Sequence, residues 1–359
     1  MSSVWSAYLP LSNPKYRVRF RILEVQKLYP LVISRGIQTS SENLFVEISD
    51  GEHSGIGELS PATASAWTGD RGMTQLEAFA QVVPESMSPL DVYAAMRERE
   101  VDPPAMAAFD VALWDLLAKQ AGMPLYRMLG LPRRSVPTSV TIGINPPEVT
   151  RERVPEILRT SGAKYLKIKL GSPKGLDYDR DHFAAAAESS ASFGVGLRVD
   201  ANGGWTVEGA LEMIKWLAER GVDYVEQPLP EGSEADLPTL MKDRSLPIFV
   251  DESIRFSPSV LKLEGKCDGV NLKLMKCGGI TEALRIVACA RAMGFKTMIG
   301  CMSETSIAIA SGAALGALFD HIDLDSHLNL NPDPASGAPI VDGVILPTER
   351  PGHGASLDA

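Results

Sequence analysis

Polar and apolar side chains alternate from Arg17 to Val25, the two-residue period of a half-buried strand. A hairpin signal follows, with residues 44–49 and 55–59 joined through Asp50-Gly51. Over 104–120 the period lengthens to that of a helix. Met106, Phe109, Leu113 and Leu116-Leu117 recur on one face before Gly122 and Pro124 stop it. Residues 1–135 therefore read as an α+β domain. After Pro137 short β-rich runs alternate with amphipathic helical stretches, such as 207–220 and 281–293, closed by Gly221 and Gly294. The runs are 139–144, 165–170, 195–199, 224–226, 248–250, 269–274, 297–300 and 322–324. Eight β/α steps predict a barrel over 136–330 rather than an open sheet. The segment 331–359, rich in Pro and Gly, is expected to hold a strand pair around Asp342-Gly343 and to return to the first domain.

Three of these runs place an acid at the end of a strand: Asp200, Glu226 and Asp251, spaced 26 and 25 residues apart. That is the length of one strand, one helix and two loops, so the three acids converge. Converging carboxylates repel unless a cation sits among them, and an all-oxygen set suits a hard ion such as Mg2+. The plainer reading is that each acid caps the helix that follows. Lys167 and Lys169 share one face of the second barrel strand, directed inward, and Lys273 closes the sixth strand on the opposite side. Two neighbouring ammonium groups lower each other's proton affinity, so a base working near neutral pH is expected. Lys276 is expected in a loop or on the surface.

Composition narrows the partners. The chain has 359 residues, 45% of them hydrophobic, enough for a barrel with an added domain. Its net charge of −10 argues against nucleic acid or an anionic membrane and favours a small molecule, with a homo-oligomer possible. The four cysteines, Cys267, Cys277, Cys289 and Cys301, form no CxxC pair and are expected to be reduced thiols in the cytoplasm. The first residues show no leader pattern, and the apolar run 307–319 is too short to cross a bilayer.

The order KxK, then D, E and DE at successive strand ends, then K followed by Gly278-Gly279, resembles the enolase superfamily, specifically its muconate lactonizing enzyme subgroup. The resemblance covers nearly the whole chain, including the closing Pro351-Gly-His-Gly. It implies a modified (β/α)7β barrel with an α+β capping domain completed by the C-terminal segment. It implies removal of the proton α to a carboxylate to give a metal-stabilised enediolate. By resemblance Asp200, Glu226 and Asp251 bind Mg2+, Lys169 and Lys273 are the acid/base pair, and Lys167 tunes Lys169. The mandelate racemase branch carries a histidine on the seventh strand, where this chain has Met298-Ile-Gly-Cys-Met-Ser-Glu304, so that branch is disfavoured.

Substrate clues lie at strand ends and loops. Asp323 and Asp325 fall on one face of the eighth strand and suit an ammonium group; they resemble the DxD motif of dipeptide epimerases, which holds the free amino terminus. Capping after the last strand is the plainer reading. Ser326-His327 stands where such epimerases more often have a Gly-Pro-like pair, which leaves the side-chain preference open. Thr141, on the first barrel strand, and Cys301, Met302 and Ser303, after the seventh, are expected to line the pocket. Arg35 lies where the subgroup's specificity loop falls and could pair with an acidic second residue; Glu58 sits in a second such loop. The expected activity is Mg2+-dependent epimerisation at the α-carbon of the C-terminal residue of a dipeptide. The alternatives are N-acylamino acid racemase or o-succinylbenzoate synthase chemistry on the same scaffold, or a Schiff-base aldolase using Lys167 or Lys169.

Overall fold

The computed structural model describes residues 4–63, 65–242 and 244–358. Residues 1–3, where the leader pattern was sought, lie outside the described residues.

The opening alternation becomes a four-stranded antiparallel sheet of β1 (Leu9–Pro10), β2 (Arg17–Ile33), β3 (Gly36–Ser49) and β4 (Ser54–Leu59). Val18 and Phe20 on β2, and Leu44, Val46 and Ile48 on β3, face inward. They meet α1 (Gly69–Ala80), α2 (Pro89–Glu98) and α3 (Pro103–Gln120). Helix α3 is buried nearly all round, because β4 covers one side and the barrel the other. Gly55 and Gly57 permit this contact: a Cβ at either would fall 2.0 Å from a carbonyl oxygen of α3. A short α4 (Leu125–Met128) leads into the barrel.

Eight parallel strands follow, each beside the next in chain order: β5 (Ser139–Ile142), β6 (Tyr165–Lys169), β7 (Gly196–Asp200), β8 (Val222–Glu226), β9 (Ile248–Val250), β10 (Gly269–Lys273), β11 (Lys296–Gly300) and β12 (His321–Asp323). They match the eight expected runs to within two residues at each end. The outer wall is α5 (Pro147–Ser161), α6 (Leu176–Ser190), α7 (Val207–Ala218), α8 (Leu237–Met241), α9 (Ser257–Leu261), α10 (Leu274–Cys277), α11 (Ile280–Ala292) and α12 (Ser306–Ala314). The seam between β12 and β5 is held by a bridge between Thr138 and Ile322 and by Thr138 Oγ1, which accepts from the Leu324 N–H at 2.9 Å. Tyr224 of β8, Phe249 of β9 and Met298 of β11 form a buried cluster.

The chain end pairs β13 (Ala335–Ser336) with β14 (Ser356–Leu357). The pair expected around Asp342-Gly343 is a single bridge, Val341 to Val344, because the residues beyond it do not run alongside each other. Gly352 and His353 return to the first domain: the Leu125 N–H donates to Gly352 O, and the His353 N–H donates to Asp115 Oδ1 on α3. No described helix is long and apolar enough to cross a membrane.

Candidate active site

The strand register brings the ionisable residues to one end of the barrel. Lys169 stands opposite Asp200 and Asp200 opposite Glu226, while Lys273 stands opposite Gly300 and that residue opposite Asp323. Asp251 follows directly on β9. Because side chains alternate along a strand, Lys167 and Lys169 both turn inward. All of these groups are buried, Lys167, Asp200 and Glu226 completely.

Burial of so many charges is tolerable only because they are paired. Lys169 Nζ donates to Asp200 Oδ2 at 2.6 Å. Lys167 Nζ lies 2.7 Å from Glu226 Oε2, 2.7 Å from Asp323 Oδ2 and 3.4 Å from Asp200 Oδ2. Lys273 Nζ is 3.0 Å from Asp251 Oδ2. Since β6 and β10 are four strands apart, Lys169 approaches the acids from the Asp200 side and Lys273 from the Asp251 side.

The charges set one another's proton affinity. Burial alone would push the Asp200 carboxyl up, but Lys169 and Lys167 outweigh it and bring it down to about 2. Asp251 is likewise held below the usual carboxylate range: burial opposes, and Lys273 and Lys276 prevail. Glu226 is pushed up to about 7, by burial first and then by Asp200. The mutual lowering expected for the paired lysines is overturned at Lys167. Burial lowers its affinity, yet Asp323, Glu226 and Asp200 together raise it well above the ordinary value. Lys273 is raised in the same way, burial being outweighed by Asp251. Carboxylates at contact distance act more strongly than a second ammonium.

Other placements differ from expectation. Lys276 is buried, and its Nζ donates to Asp251 through both the backbone oxygen, at 2.5 Å, and the carboxylate. After Lys273 the chain makes the single helical turn α10, which brings the third residue back to the same side. Glu58 belongs to β4, not a loop, and is fully buried. It accepts from Asn43 Nδ2 at 2.6 Å, Thr305 Oγ1 at 2.7 Å and the Thr305 and Ala308 N–H groups, where α12 begins. Asp323 and Asp325 do not form one strand face, since β12 ends at Asp323. Asp323 is bonded to Lys167 and to Ser139 Oγ at 2.6 Å; Asp325 Oδ2 accepts from the Thr141 N–H at 2.6 Å. Burial first, then Asp323, pushes Asp325 up to about 6.

Arg35 lies in the two-residue turn between β2 and β3, with its guanidinium 2.6 Å from Glu252 Oε1 and 3.0 Å from Asn202 O. The turn therefore rests on the barrel mouth. Beneath it is a cavity of about 720 Å3 lined by Arg35, Trp67, Asp251, Glu252, Lys273 and Met302. Cys301 Sγ lies against Asp323 O at 3.3 Å, and burial pushes its thiol up. Ser303 faces the hairpin: its Oγ accepts from Lys27 Nζ at 2.6 Å and donates to Gln38 Oε1 at 2.8 Å.

Sequence reading missed Lys27, Asn43, Asn202, Asn271 and Glu252 as members of this end of the barrel. Asn271 Nδ2 donates to Glu226 Oε1 at 2.7 Å, and the Asn202 N–H to Asp200 Oδ1 at 2.8 Å. Asn271 is two residues before Lys273 on the same strand, so the period-2 rule could have found it; the contacts of Lys27 and Asn43 cross domains and leave no local signal.

An eight-stranded parallel barrel with acids and lysines at its strand ends, covered by an antiparallel sheet domain, is an enolase-type architecture. Residues 17–130 match the mandelate racemase/muconate lactonizing enzyme N-terminal domain, and residues 150–359 match the enolase C-terminal domain-like family. The chain belongs to this family of the enolase superfamily. Among its relatives, a hydrophobic dipeptide epimerase of Roseobacter litoralis is 55% identical over 342 residues, covering 95% of this chain and 99% of the relative. The dipeptide epimerase of Enterococcus faecalis V583, solved with Mg and L-Leu-L-Tyr, superposes with a TM-score of 0.85 at 31% identity over 94% of this chain and 98% of that one. The Methylococcus capsulatus enzyme, solved with Mg and L-Arg-D-Lys, gives 0.84 at 31% identity over the same shares.

Proposed function

We propose that the protein is a Mg2+-dependent dipeptide epimerase that inverts the α-carbon of the C-terminal residue. The observation that carries the reading is the placement of Lys169 and Lys273 on opposite sides of one row of buried carboxylates.

Asp200, Glu226 and Asp251 would hold the ion. Their donor set is all oxygen, which fits Mg2+. As they stand, no three such side chains among the described residues are gathered closely enough to form a metal group, because each carboxylate is turned onto a lysine. Glu226, pushed up to about 7 by burial and then by Asp200, is the acid of the three whose charge the lysines leave least compensated, which is where a cation would act. When bound, Mg2+ supplies the positive charge that makes a proton beside a carboxylate acidic enough for an amine to remove.

The chain's own residues do the rest. Lys169 takes or returns the α-proton on one face and Lys273 on the other, one lysine neutral while its counterpart is an ammonium. Lys167 stays charged among Asp200, Glu226 and Asp323 and offsets the repulsion between those acids. Asp325 receives the substrate ammonium; burial first, and then Asp323, raise its proton affinity, as for a carboxylate short of a cation. The relatives and solved structures named above, all dipeptide epimerases, support the substrate class.

The test is α-proton exchange in D2O, with and without Mg2+, across a panel of L,L-dipeptides and N-succinyl amino acids. A mass gain of one unit with loss of optical rotation, seen for dipeptides and abolished by EDTA, is expected. Turnover of N-succinyl amino acids alone would exclude the dipeptide assignment, and full activity in EDTA would exclude the metal.

A further inference from the structure

We infer that the cleft between the N-terminal sheet and the closing strand β14 is an anion-binding site, in which Arg21 takes the carboxylate or phosphate group of a small organic molecule. The site shares no lining residue with the cavity at the barrel mouth and does not depend on the function proposed above.

The alternation of β2 sets it up. Arg17, Arg19 and Arg21 stand at every second position, so they turn to one face of the sheet, and the pairing of β2 with β3 puts Glu47 opposite Arg19. On that face lies a cavity of about 340 Å3, within the roughly 300–1,000 Å3 of small-molecule sites. Arg19, Arg21 and Glu47 line it from the sheet, Lys119 from α3, and Ser356 and Asp358 from the chain end. Trp5, Ile56 and Leu357 add apolar lining, so a molecule that fills the space carries an organic body as well as its anionic group.

Two of its three cations are already engaged. Arg19 donates through Nε and Nη2 to Glu47 Oε1 and Oε2, each at 3.0 Å, and lies 4.6 Å over the Trp5 ring. Glu47 also accepts from the Tyr8 hydroxyl, so its oxygens are taken. Lys119 Nζ is held by Asp115 Oδ2 at 2.7 Å and Ser54 O at 2.9 Å. The side chain of Arg21 has neither a hydrogen bond nor an ion pair among the described residues, and its Nε is closed to solvent. A buried donor left without an acceptor is costly, and the planar fork of a guanidinium matches two oxygens of a carboxylate or phosphate. Asp358 is exposed and makes no ion pair with Arg21 among the described residues, so it leaves the fork free. An anion on Arg21 would stand between the sheet and β14. Asp115, the partner of Lys119, accepts from the His353 N–H, so the ligand would add to the contacts that fix the chain end on the first domain.

The experiment measures melting temperature and titration calorimetry for the wild type, Arg21→Gln and Asp358→Asn with benzoate and phenyl phosphate. Sodium chloride at the same ionic strength and uncharged benzyl alcohol are the controls. In the wild type, one or both anions at about 10 mM should raise the melting temperature by roughly 2 °C over chloride. The stronger of the two responses tells a carboxylate ligand from a phosphate. Arg21→Gln should weaken binding by at least about tenfold. Asp358→Asn removes a like charge from the rim and should tighten binding by about two- to threefold. No rise beyond chloride for either anion, or an equal rise with benzyl alcohol, overturns the inference. So does a rise that Arg21→Gln leaves intact, which would place the anion elsewhere, as among the buried lysines of the mouth. Should Arg21→Gln fail to fold, Asp358→Asn decides, because its affinity for the anion has to exceed that of the wild type.

Discussion

The barrel mouth and the surface that the N-terminal sheet lays over it are built from opposite materials. At the mouth, four lysines and at least four acids are buried together, held at or just beyond the strand ends and each paired with a neighbour of opposite charge. At the junction with the sheet, the contacts are a leucine-lined cavity, single hydrogen bonds such as Lys27 to Ser303, and one carboxylate, Glu58, held by uncharged donors. The difference separates a densely charged site on strand ends from a less charged seam between sheet and barrel. Charges on rigid strands can be set in one geometry for a proton transfer, whereas an apolar seam between two domains can be reshaped without disturbing it.

The largest effect should come from the mouth. Lys169→Ala and Lys273→Ala are each expected to lower kcat for epimerisation by about 10²–10⁴-fold. A sharper readout is exchange from a single enantiomer. One variant should still wash the proton out of the L substrate and the other out of the D substrate, each without inversion. Loss of both exchanges in both variants would mean the two lysines do not serve separate faces.

Acid should expose a second contrast, between the mouth and the barrel wall. His182 of α6 is buried with Nδ1 2.8 Å from Thr150 Oγ1 and has no anionic partner, so burial lowers it from 6.5 to about 4. Its folded pKa lies below its unfolded one. As pH falls through 6.5 the unfolded chain gains a proton that the folded chain refuses, and stability is lost progressively down to about 4. The cost at the end of that window is at most about 3 kcal/mol. Melting temperatures of His182→Asn should fall less steeply over that window than those of the wild type. An unchanged slope would place the acid sensitivity elsewhere, with His321 and His327 as the next groups, both also lowered to about 4 by burial.

At the junction, Glu58→Gln should act through the loop that follows β11. Every group around the carboxylate donates, so an amide NH2 must face a donor, and about 1–3 kcal/mol of stability is expected to go. Asn43, which holds Glu58, also donates to Ser303 O at 2.8 Å, next to Met302 of the larger cavity. KM should therefore rise more than kcat falls. A loss of melting temperature with unaltered KM would make Glu58 a purely structural residue.

The same division governs what the sequence made readable. The acids and lysines of the mouth follow from period-2 alternation and even strand spacing, both local properties, and the eight strands came with them. Lys276 escaped because one turn of helix follows Lys273, and a four-residue turn carries no periodic signal. Strand β2 was readable only to Val25. Beyond it Lys27, Tyr29 and Pro30 break the alternation, and the pairing itself shifts register between Gln26 and Leu31. That irregular stretch supplies Leu28 and Leu31, so the wall of the leucine-lined cavity is invisible to pattern reading. Glu58 looked like a loop acid because its partners at the start of α12 are 247 and 250 residues away.

The smallest effect is expected at Arg35, where the two regions touch. Its specificity-loop position suggests a partner for an acidic second residue, but the guanidinium is already engaged by Glu252 Oε1 and Asn202 O. An acidic substrate side chain would have to displace Glu252, which would leave that carboxylate without its cation beside Asp251. The pair is also partly open to water, its arginine side chain 44% exposed, and such pairs contribute about 0–1 kcal/mol. Arg35→Ala should therefore change the ratio of kcat/KM for Ala-Glu over Ala-Leu by less than about fivefold. A change well beyond tenfold, confined to Ala-Glu, would show that the turn does read an acidic side chain and that the charged chemistry of the mouth extends into the covering sheet.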